Sequence, residues 1–291
     1  MSDGGIRNNF PFATPGSPLK RWLKAKLGLL LAHLMPGRAQ RLLTEGDPQH
    51  FSLLDRIILN SIADQAKKSG SPEVLAQMHQ VHRRFWEGDG ARLTHIRNHD
   101  EVLDWFGLGD QFALSALRRQ LATGRYHTLC EIGCGAGMLL EFLQQQLPQP
   151  LQLIGLDLSA EQIRINRTRG APGLRYESGN AVEWLQKEAG PGWILLANGG
   201  VFEYFLPAEL SQMFGHFAGK AAPAGLVLVE PVAHDHDFAT APESRVFGRE
   251  QTFSHNYAQL ARRAGFEVTA VNSDCVFGNL RWTLLAAEAP P

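Results

Sequence analysis

An α/β fold is predicted, with a seven-stranded, mostly parallel sheet, an antiparallel last strand and an N-terminal helical cap. Three observations predict it. The hydrophobic period changes near Tyr126, from helical spacing to short apolar runs that alternate with amphipathic helices. Regular β-α-β order of this kind gives parallel strands with helices on both faces. A glycine-rich turn, Glu131–Gly137, joins the first run to a helix. The last two runs are separated only by Ser273–Leu280, a gap that suits a hairpin.

The elements before the switch are helices. Ser17-Pro18 has the form of an N-cap and first helical residue. The helix that follows places Trp22, Leu23, Leu27, Leu30, Leu31 and Leu34 at helical spacing. With Lys20, Arg21, Lys24 and Lys26 ahead, Lys20–Arg41 is expected to be one basic amphipathic helix. Its plain reading is a cap helix with a solvated basic face, and a membrane-surface role is the alternative. Ser52 with Asp55 opens a helix from Leu53 to Lys68, stopped by Gly70. Ser71-Pro72-Glu73 opens another, to about Trp86. A patch near Asp100–Phe106 leads into a helix at about Gln111–Leu121, closed by Gly124. Short helices without strands do not make a sheet, so residues 1–125 are expected to form a cap and 126–291 the sheet domain. Trp86, Trp105 and Phe106 are expected in a core, or as a shield that keeps water from a reaction.

The strands are expected at Thr128–Ile132, Leu151–Asp157, Leu174–Glu177, Trp193–Ala197, Leu226–Glu230, Phe266–Asn272 and Arg281–Ala287. The helices between them are Met138–Gln146, Ala160–Thr168, Ala181–Glu188, Ala208–Ala218 and about Ser254–Ala264. The tails Met1–Gly16 and Glu288–Pro291 are expected to be mobile.

Composition narrows the function. Among 291 residues, 44% are hydrophobic and 20% charged, the balance of a soluble globular chain. Lys and Arg number 28 against 29 Asp and Glu, so no basic field attracts nucleic acid. Three cysteines, Cys130, Cys134 and Cys275, make no disulfide framework, and a reducing cytoplasm is the expected location. The apolar run Leu27–Met35 is too short to span a bilayer, so no stable membrane insertion is expected. Pro36-Gly37-Arg38 stands where a secretory signal would carry a small-residue cleavage site.

The chemistry sits at the ends of strands, where open α/β sheets bind ligands. Glycines at Gly133, Gly135 and Gly137 let the backbone turn sharply and approach a ligand. The dinucleotide fingerprint needs a further glycine at 138, where Met138 stands. Glu131 places a carboxylate at the strand end, which repels a pyrophosphate and suits a ligand with an amine and a sulfonium. Asp157, followed by Leu158 and Ser159, ends the second strand, where an acid can hold two ribose hydroxyls. Asn180 and Ala181 follow the third strand, and Asn198 ends the fourth ahead of Gly199-Gly200-Val201-Phe202-Glu203-Tyr204.

The segments EIGCGAG, LIGLDLS, SGNAVEWL, ANGGVFEYF and RRAGFEV, in that order, resemble the class I S-adenosylmethionine (SAM)-dependent methyltransferases, a Rossmann-like family. The resemblance covers about residues 126–288. It implies that Glu131, Gly133, Gly135 and Gly137 border the methionine part of SAM. It implies further that Asp157 holds the ribose and that Asn180 and Ala181 touch the adenine, with Asn180 where the family commonly has Asp.

Glu203 and Tyr204 lie on the edge where the family places its substrate. A carboxylate there can act as a base, and a phenol can stabilise a sulfonium, while packing on the next helix is the plain alternative. His234-Asp235-His236-Asp237 is expected to be a solvated loop, because alternate residues of an extended chain point opposite ways. His79 with His82, and His95 with His99, are expected to make surface or cap contacts, so no metal is expected. Methyl transfer to a small molecule in a capped pocket is the first expected reaction. Cyclisation of the aminobutyryl chain of SAM to azetidine-2-carboxylate, releasing methylthioadenosine, is the second; the layout of long cap and motifs is similar to that of such synthases. A non-enzymatic SAM-binding module is the third.

Overall fold

The structure, a computed structural model, describes residues 11, 12, 18–45, 48–88, 101–148, 150–169, 172–248 and 250–291. The expectations for His95, His99 and most of Met1–Gly16 lie outside them. The chain divides into two compact units, Met1–Thr94 with Arg245–Phe253, and His95–Ser244 with Ser254–Pro291.

The first unit contains α1 (Pro18–Leu34), α2 (Pro36–Thr44), α3 (Leu53–Ser69) and α4 (Pro72–Glu87). The expected single helix Lys20–Arg41 is two. Met35 leaves helical geometry at φ −128° and ψ 58°, because the ring of Pro36 disfavours helical backbone in the residue before it. Arg38 then lies in α2, where its Nε donates to Asp55 Oδ1 at 2.8 Å. The expected start of α3 is a reciprocal cap: Asp55 N–H donates to Ser52 Oγ at 3.2 Å and Ser52 N–H to Asp55 Oδ2 at 2.9 Å. Phe12, Leu42, Leu43, Ile58, Leu59, Met78 and Val81 fill the core of this unit.

The side of α1 that meets the rest of its unit is set by a glycine. It packs on α3 through Gly28, where a Cβ would overlap Ser61 Oγ and the Ile57 carbonyl. Only a glycine allows so close an approach of two helices. Of the leucines at helical spacing, Leu31 packs against the core of this unit, while Leu23 and Leu30 are exposed by 53% and 55%.

The second unit begins with α5 (Glu101–Phe106) and α6 (Leu108–Ala122), then β1 (Thr128–Ile132), α7 (Met138–Gln146), β2 (Gln152–Asp157), α8 (Ala160–Arg169) and β3 (Leu174–Ser178). It continues with α9 (Ala181–Glu188), β4 (Trp193–Asn198), α10 (Pro207–Ala221) and β5 (Ala224–Val232). It ends with α11 (Tyr257–Arg263), β8 (Glu267–Phe277) and β9 (Leu280–Ala289); the intervening hairpin of β6 (Arg245–Phe247) and β7 (Thr252–Ser254) falls, but for Ser254, in the first unit. The seven-stranded sheet has the order β3-β2-β1-β4-β5-β9-β8. All neighbours among β1 to β5 are parallel, and β9 runs antiparallel to both β5 and β8.

Helices cover both faces of this sheet. Leu185 of α9, Phe214 and Phe217 of α10 and Leu260 of α11 pack on one face, with Ile132, Leu195 and Leu228. Leu117 of α6, Leu140 of α7 and Ile163 of α8 pack on the other, with Leu129, Leu196 and Val229. Inside α6, Gly109, Asp110 and Gln111 are left-handed, with φ of 61°, 55° and 63°. Past that turn α6 lies on the sheet, where Gln120 Nε2 donates to the Ala287 carbonyl at 3.0 Å. The first half of the expected C-terminal tail is strand instead: β9 runs to Ala289, and Glu288 pairs with Arg125 at 2.5 Å.

Candidate active site

The glycine turn is tied to β2 from below. Gly133 N–H and Cys134 N–H both donate to the Leu156 carbonyl, at 2.8 and 3.1 Å. Gly135 N–H donates to Asp157 Oδ2 at 2.9 Å, and Ser159 N–H to Asp157 Oδ1 at 2.9 Å. The Gly135 carbonyl accepts from Asn166 Nδ2 at 2.7 Å, and Asn166 Oδ1 accepts from Gln162 Nε2 at 2.9 Å. The turn is therefore held at both ends of one residue. Each Asp157 oxygen keeps a further lone pair, since a carboxylate oxygen has two. Asn166 and Gln162 lie outside the sequence motifs. Their signal is two amides four apart on a helix that must bury one face, and both are buried in α8.

Gly133 is needed for two reasons. Its φ is +69°, and a Cβ would sit 2.6 Å from Val201 Cγ2. Gly124 has φ +71° with nothing near it. Gly133→Ala is expected to lower stability by about 2–3 kcal/mol and Gly124→Ala by about 1 kcal/mol, measured by thermal unfolding. Equal losses would show that the contact with Val201 is easily relieved.

Glu131 is 3% exposed, and its Oε2 has no hydrogen-bond partner. Burial, and then the nearby Asp157 carboxylate, push its pKa up to about 8. The carboxyl therefore holds its proton at neutral pH, although its strand position suggested a fixed charge. Asn198 also has an unpartnered buried oxygen, while its Nδ2 donates to the Val102 carbonyl at 3.0 Å. Trp282 Nε1 is buried without a partner as well. Pairing partners share a sheet face, and residues two apart in a strand point the same way. Glu131 pairs with Leu196, Asn198 with Val229, and Pro231 with Trp282. Glu131, Asn198 and Trp282 thus lie on one face, towards the carboxyl ends of the parallel strands. Trp105 covers that edge, its ring tilted 30° to that of Trp282 with centres 5.7 Å apart, and lies against the backbone of Gly199. Phe106 is in the core.

Asn180 is also a helix cap. Its Oδ1 caps α9, accepting from Val182 N–H at 2.9 Å and Glu183 N–H at 3.2 Å. The oxygen is committed to the helix, so Nδ2 is the group that can meet a base. Ala181 is buried beside it, and Leu158 is half-buried after Asp157.

Glu203 and Tyr204 lie in a short 3-10 turn, Phe202–Tyr204, both half-buried, with the Glu203 carboxylate beside Gly200. The turn hangs on Glu230, a fully buried residue of β5. Glu230 Oε2 accepts from Val201 N–H at 3.1 Å and Phe202 N–H at 3.0 Å, with Tyr257 Oη at 3.5 Å. Burial raises its pKa to about 8 against the pull of those donors. Its sequence signal is a charge inside the otherwise apolar LVLVEPV strand.

The histidines differ from one another. His236 is a satisfied core residue rather than part of a solvated loop. Its Nδ1 lies 2.8 Å from Ser254 Oγ, and because its other nitrogen faces a carbonyl that can only accept, Nδ1 of the neutral ring accepts from the serine hydroxyl. Its Nε2–H then donates to the Ala241 carbonyl at 2.8 Å. Asp237 folds its own loop, accepting from Ala239 N–H at 2.9 Å and Thr240 Oγ1 at 2.8 Å. In the first unit His82 is buried, with Nε2 2.8 Å from the Glu250 carbonyl, and burial lowers its pKa to about 4. No group of three metal-ligating side chains occurs among the described residues. Cys130 and Cys134 are buried free thiols that burial pushes upward in pKa, which makes them inert.

The sheet order, the glycine turn and the acid after β2 are set beside known families by one comparison. A family model described as a methyltransferase domain matches residues 109–271, more than half of the chain. The chain belongs to the class I SAM-dependent methyltransferases. Solved structures similar to this methyltransferase domain share little sequence with it. A TehB-like SAM-dependent methyltransferase from Corynebacterium glutamicum is 13% identical, over 60% of this chain and 87% of its own, with a TM-score of 0.43. A SAM-dependent methyltransferase from Mesorhizobium loti is 15% identical, over 63% and 99%, with a TM-score of 0.46. The 1,6-didemethyltoxoflavin-N1-methyltransferase of Burkholderia thailandensis, with bound 1,6-didemethyltoxoflavin and S-adenosylhomocysteine, is 15% identical, over 69% and 87%, with a TM-score of 0.47. A search of curated proteins gives no match.

Proposed function

We propose that this methyltransferase domain binds SAM on the glycine turn and transfers its methyl group to a small-molecule acceptor, in the cytoplasm. The observation that carries this reading is the unpartnered, buried Oε2 of Glu131 at the end of β1. A buried polar atom without a partner implies a ligand that supplies one. A cationic amine supplies it and displaces the proton that the carboxyl holds in the free protein. The backbone at Gly133, Gly135 and Gly137 lies against the methionine part, and the spare lone pairs of Asp157 accept from the ribose hydroxyls. The amide nitrogen of Asn180, with Ala181 and Leu158, borders the adenine.

SAM supplies an electrophilic methyl group on a sulfonium. The chain's own work is orientation, exclusion of water and the handling of one proton. Trp105 and Trp282 keep water from the edge of the sheet beside Asn198. Asn198 Oδ1 accepts from the ligands bound there. Glu203 takes the acceptor's proton, and Tyr204 sets its phenol beside the positive charge. The near-balance of charge, 28 Lys and Arg against 29 acids, supports a small-molecule acceptor over a nucleic acid.

Incubation of the purified protein with SAM alone, followed by product analysis, tests the reaction. SAM is expected to persist, and S-adenosylhomocysteine to form only when a small-molecule fraction is added. Methylthioadenosine with azetidine-2-carboxylate, from SAM alone, would overturn methyl transfer in favour of cyclisation. A second test concerns Glu131. Its proton, held in the free protein to about pH 8, is displaced when the cationic amine arrives. Calorimetry in buffers of different ionisation enthalpy is expected to show proton release on SAM binding near pH 7. Glu131→Gln is expected to remove that release, and equal release in both proteins would exclude the contact.

A further inference from the structure

The outer face of α1 is an apolar stripe. Leu19, Trp22, Leu23, Leu27, Leu30 and Leu34 are exposed by 67, 57, 53, 46, 55 and 65%. Their spacing of three and four residues puts them on one side of the helix, opposite Gly28 and its contact with α3. The stripe ends where Met35 breaks the helix and α2 turns Leu42 and Leu43 into the core of its own unit. At 1.5 Å per residue it is roughly 25 Å long. A continuous exposed apolar surface of this kind marks an interaction site.

The charges on α1 select the partner. Its seventeen residues include Lys20, Arg21, Lys24 and Lys26 and no acid. Lys26 Nζ lies 5.9 Å from the centre of the Trp22 ring, so a cation and an aromatic edge share the same side. We propose that this face of α1 docks on an anionic phospholipid surface, with the helix axis in the plane of the membrane. Leucines enter the acyl boundary, Trp22 sits at headgroup level, and lysine stems lift their ammonium groups to the phosphates. A second copy of the chain is disfavoured, because α1 carries no acid to meet the ammonium of Lys26, which lies beside Trp22 on the stripe. The mode is peripheral, since no helix among the described residues is long and apolar enough to cross a membrane.

Co-sedimentation of the full chain with vesicles tests the assignment. Vesicles of phosphatidylcholine mixed with phosphatidylglycerol are expected to bind it, and phosphatidylcholine alone to bind it at least about tenfold more weakly. Added salt is expected to weaken the anionic case. The double substitution Leu23→Glu and Leu30→Glu is expected to cut binding on the order of a hundredfold. Both sites are exposed, and circular dichroism shows whether the helices persist. Lys20→Gln with Lys26→Gln, which leaves the apolar stripe intact, is expected to cut binding by roughly tenfold. Failure to sediment with the anionic vesicles overturns the proposal. Equal, salt-insensitive binding to both vesicles overturns its electrostatic half. A concentration-dependent dimer that the double leucine variant abolishes overturns it in favour of a second copy.

Discussion

Asp157→Ala is expected to raise the dissociation constant for SAM at least about a hundredfold, measured by calorimetry. The substitution removes two kinds of interaction. In the free protein the carboxylate organises the glycine turn, with one oxygen on Gly135 N–H and the other on Ser159 N–H. Hydrogen bonds to a charged group contribute about 1.5–3 kcal/mol each, so the turn loses its anchor to β2. In the proposed complex the same oxygens accept from the ribose, and those bonds go too. Asp157→Asn separates the parts. The amide keeps one acceptor for Gly135 or Ser159 but presents a donor to the other, so an intermediate loss is expected. Unchanged affinity in the alanine variant would refute the placement of SAM on this turn.

Glu230→Ala is expected to damage turnover while leaving SAM affinity within about threefold, because it acts on a different loop. The carboxyl is wholly buried and holds the backbone of Val201 and Phe202, the turn that carries Glu203 and Tyr204. Removal strands those N–H groups in the core, at a cost of about 3 kcal/mol in stability. Glu230→Gln distinguishes positioning from mere bulk. Because the pKa of Glu230 is raised to about 8, its neutral form dominates below that pH, and glutamine is nearly isosteric with it. Rescue of stability and kcat is expected below about pH 8.

The pH dependence has a definite sign. A carboxyl with a folded pKa of about 8 against an ordinary 4.5 contributes stability that is complete below 4.5 and lost as pH rises through 8. Wild type is therefore expected to lose thermal stability relative to Glu230→Gln between about pH 5 and pH 8, by at most about 1.4 kcal/mol per pH unit. A parallel pair of pH–stability curves would refute burial of an unpaired proton at Glu230.

Locally encoded features were legible in the sequence. The bounds of β1, α7 and α9 agree with expectation to the residue. Each is punctuated by its own chain: Gly137 before α7, Asn180 capping α9, and the turn glycines after β1. The antiparallel β9 followed from the short link between the last two strands. Features set by distant partners were not legible. Glu230 and the turn it holds are about thirty residues apart, and Asn166 reaches back to Gly135 across a similar span. The leucines of α1 carry the period of a buried face, yet Gly28, not the leucines, selects which side meets α3. Periodicity reports that an apolar side exists; it does not report what that side meets. The break at Met35 was available in Pro36, whose effect on the preceding residue was outweighed by the apolar run around it.

The insertion of β9 between β5 and β8 governs the order in which a ribosome can complete this domain. Every residue of β5 is buried, and one of its two edges is closed by β9 along its whole length, Ala224 to Val232 against Ala289 to Arg281. During synthesis that edge stays open until the last strand leaves the exit tunnel. The first five strands can assemble in sequence, but the nascent sheet carries an unpaired apolar border for the length of about fifty further residues. Premature termination anywhere in that interval leaves a strand edge ready to pair with another chain.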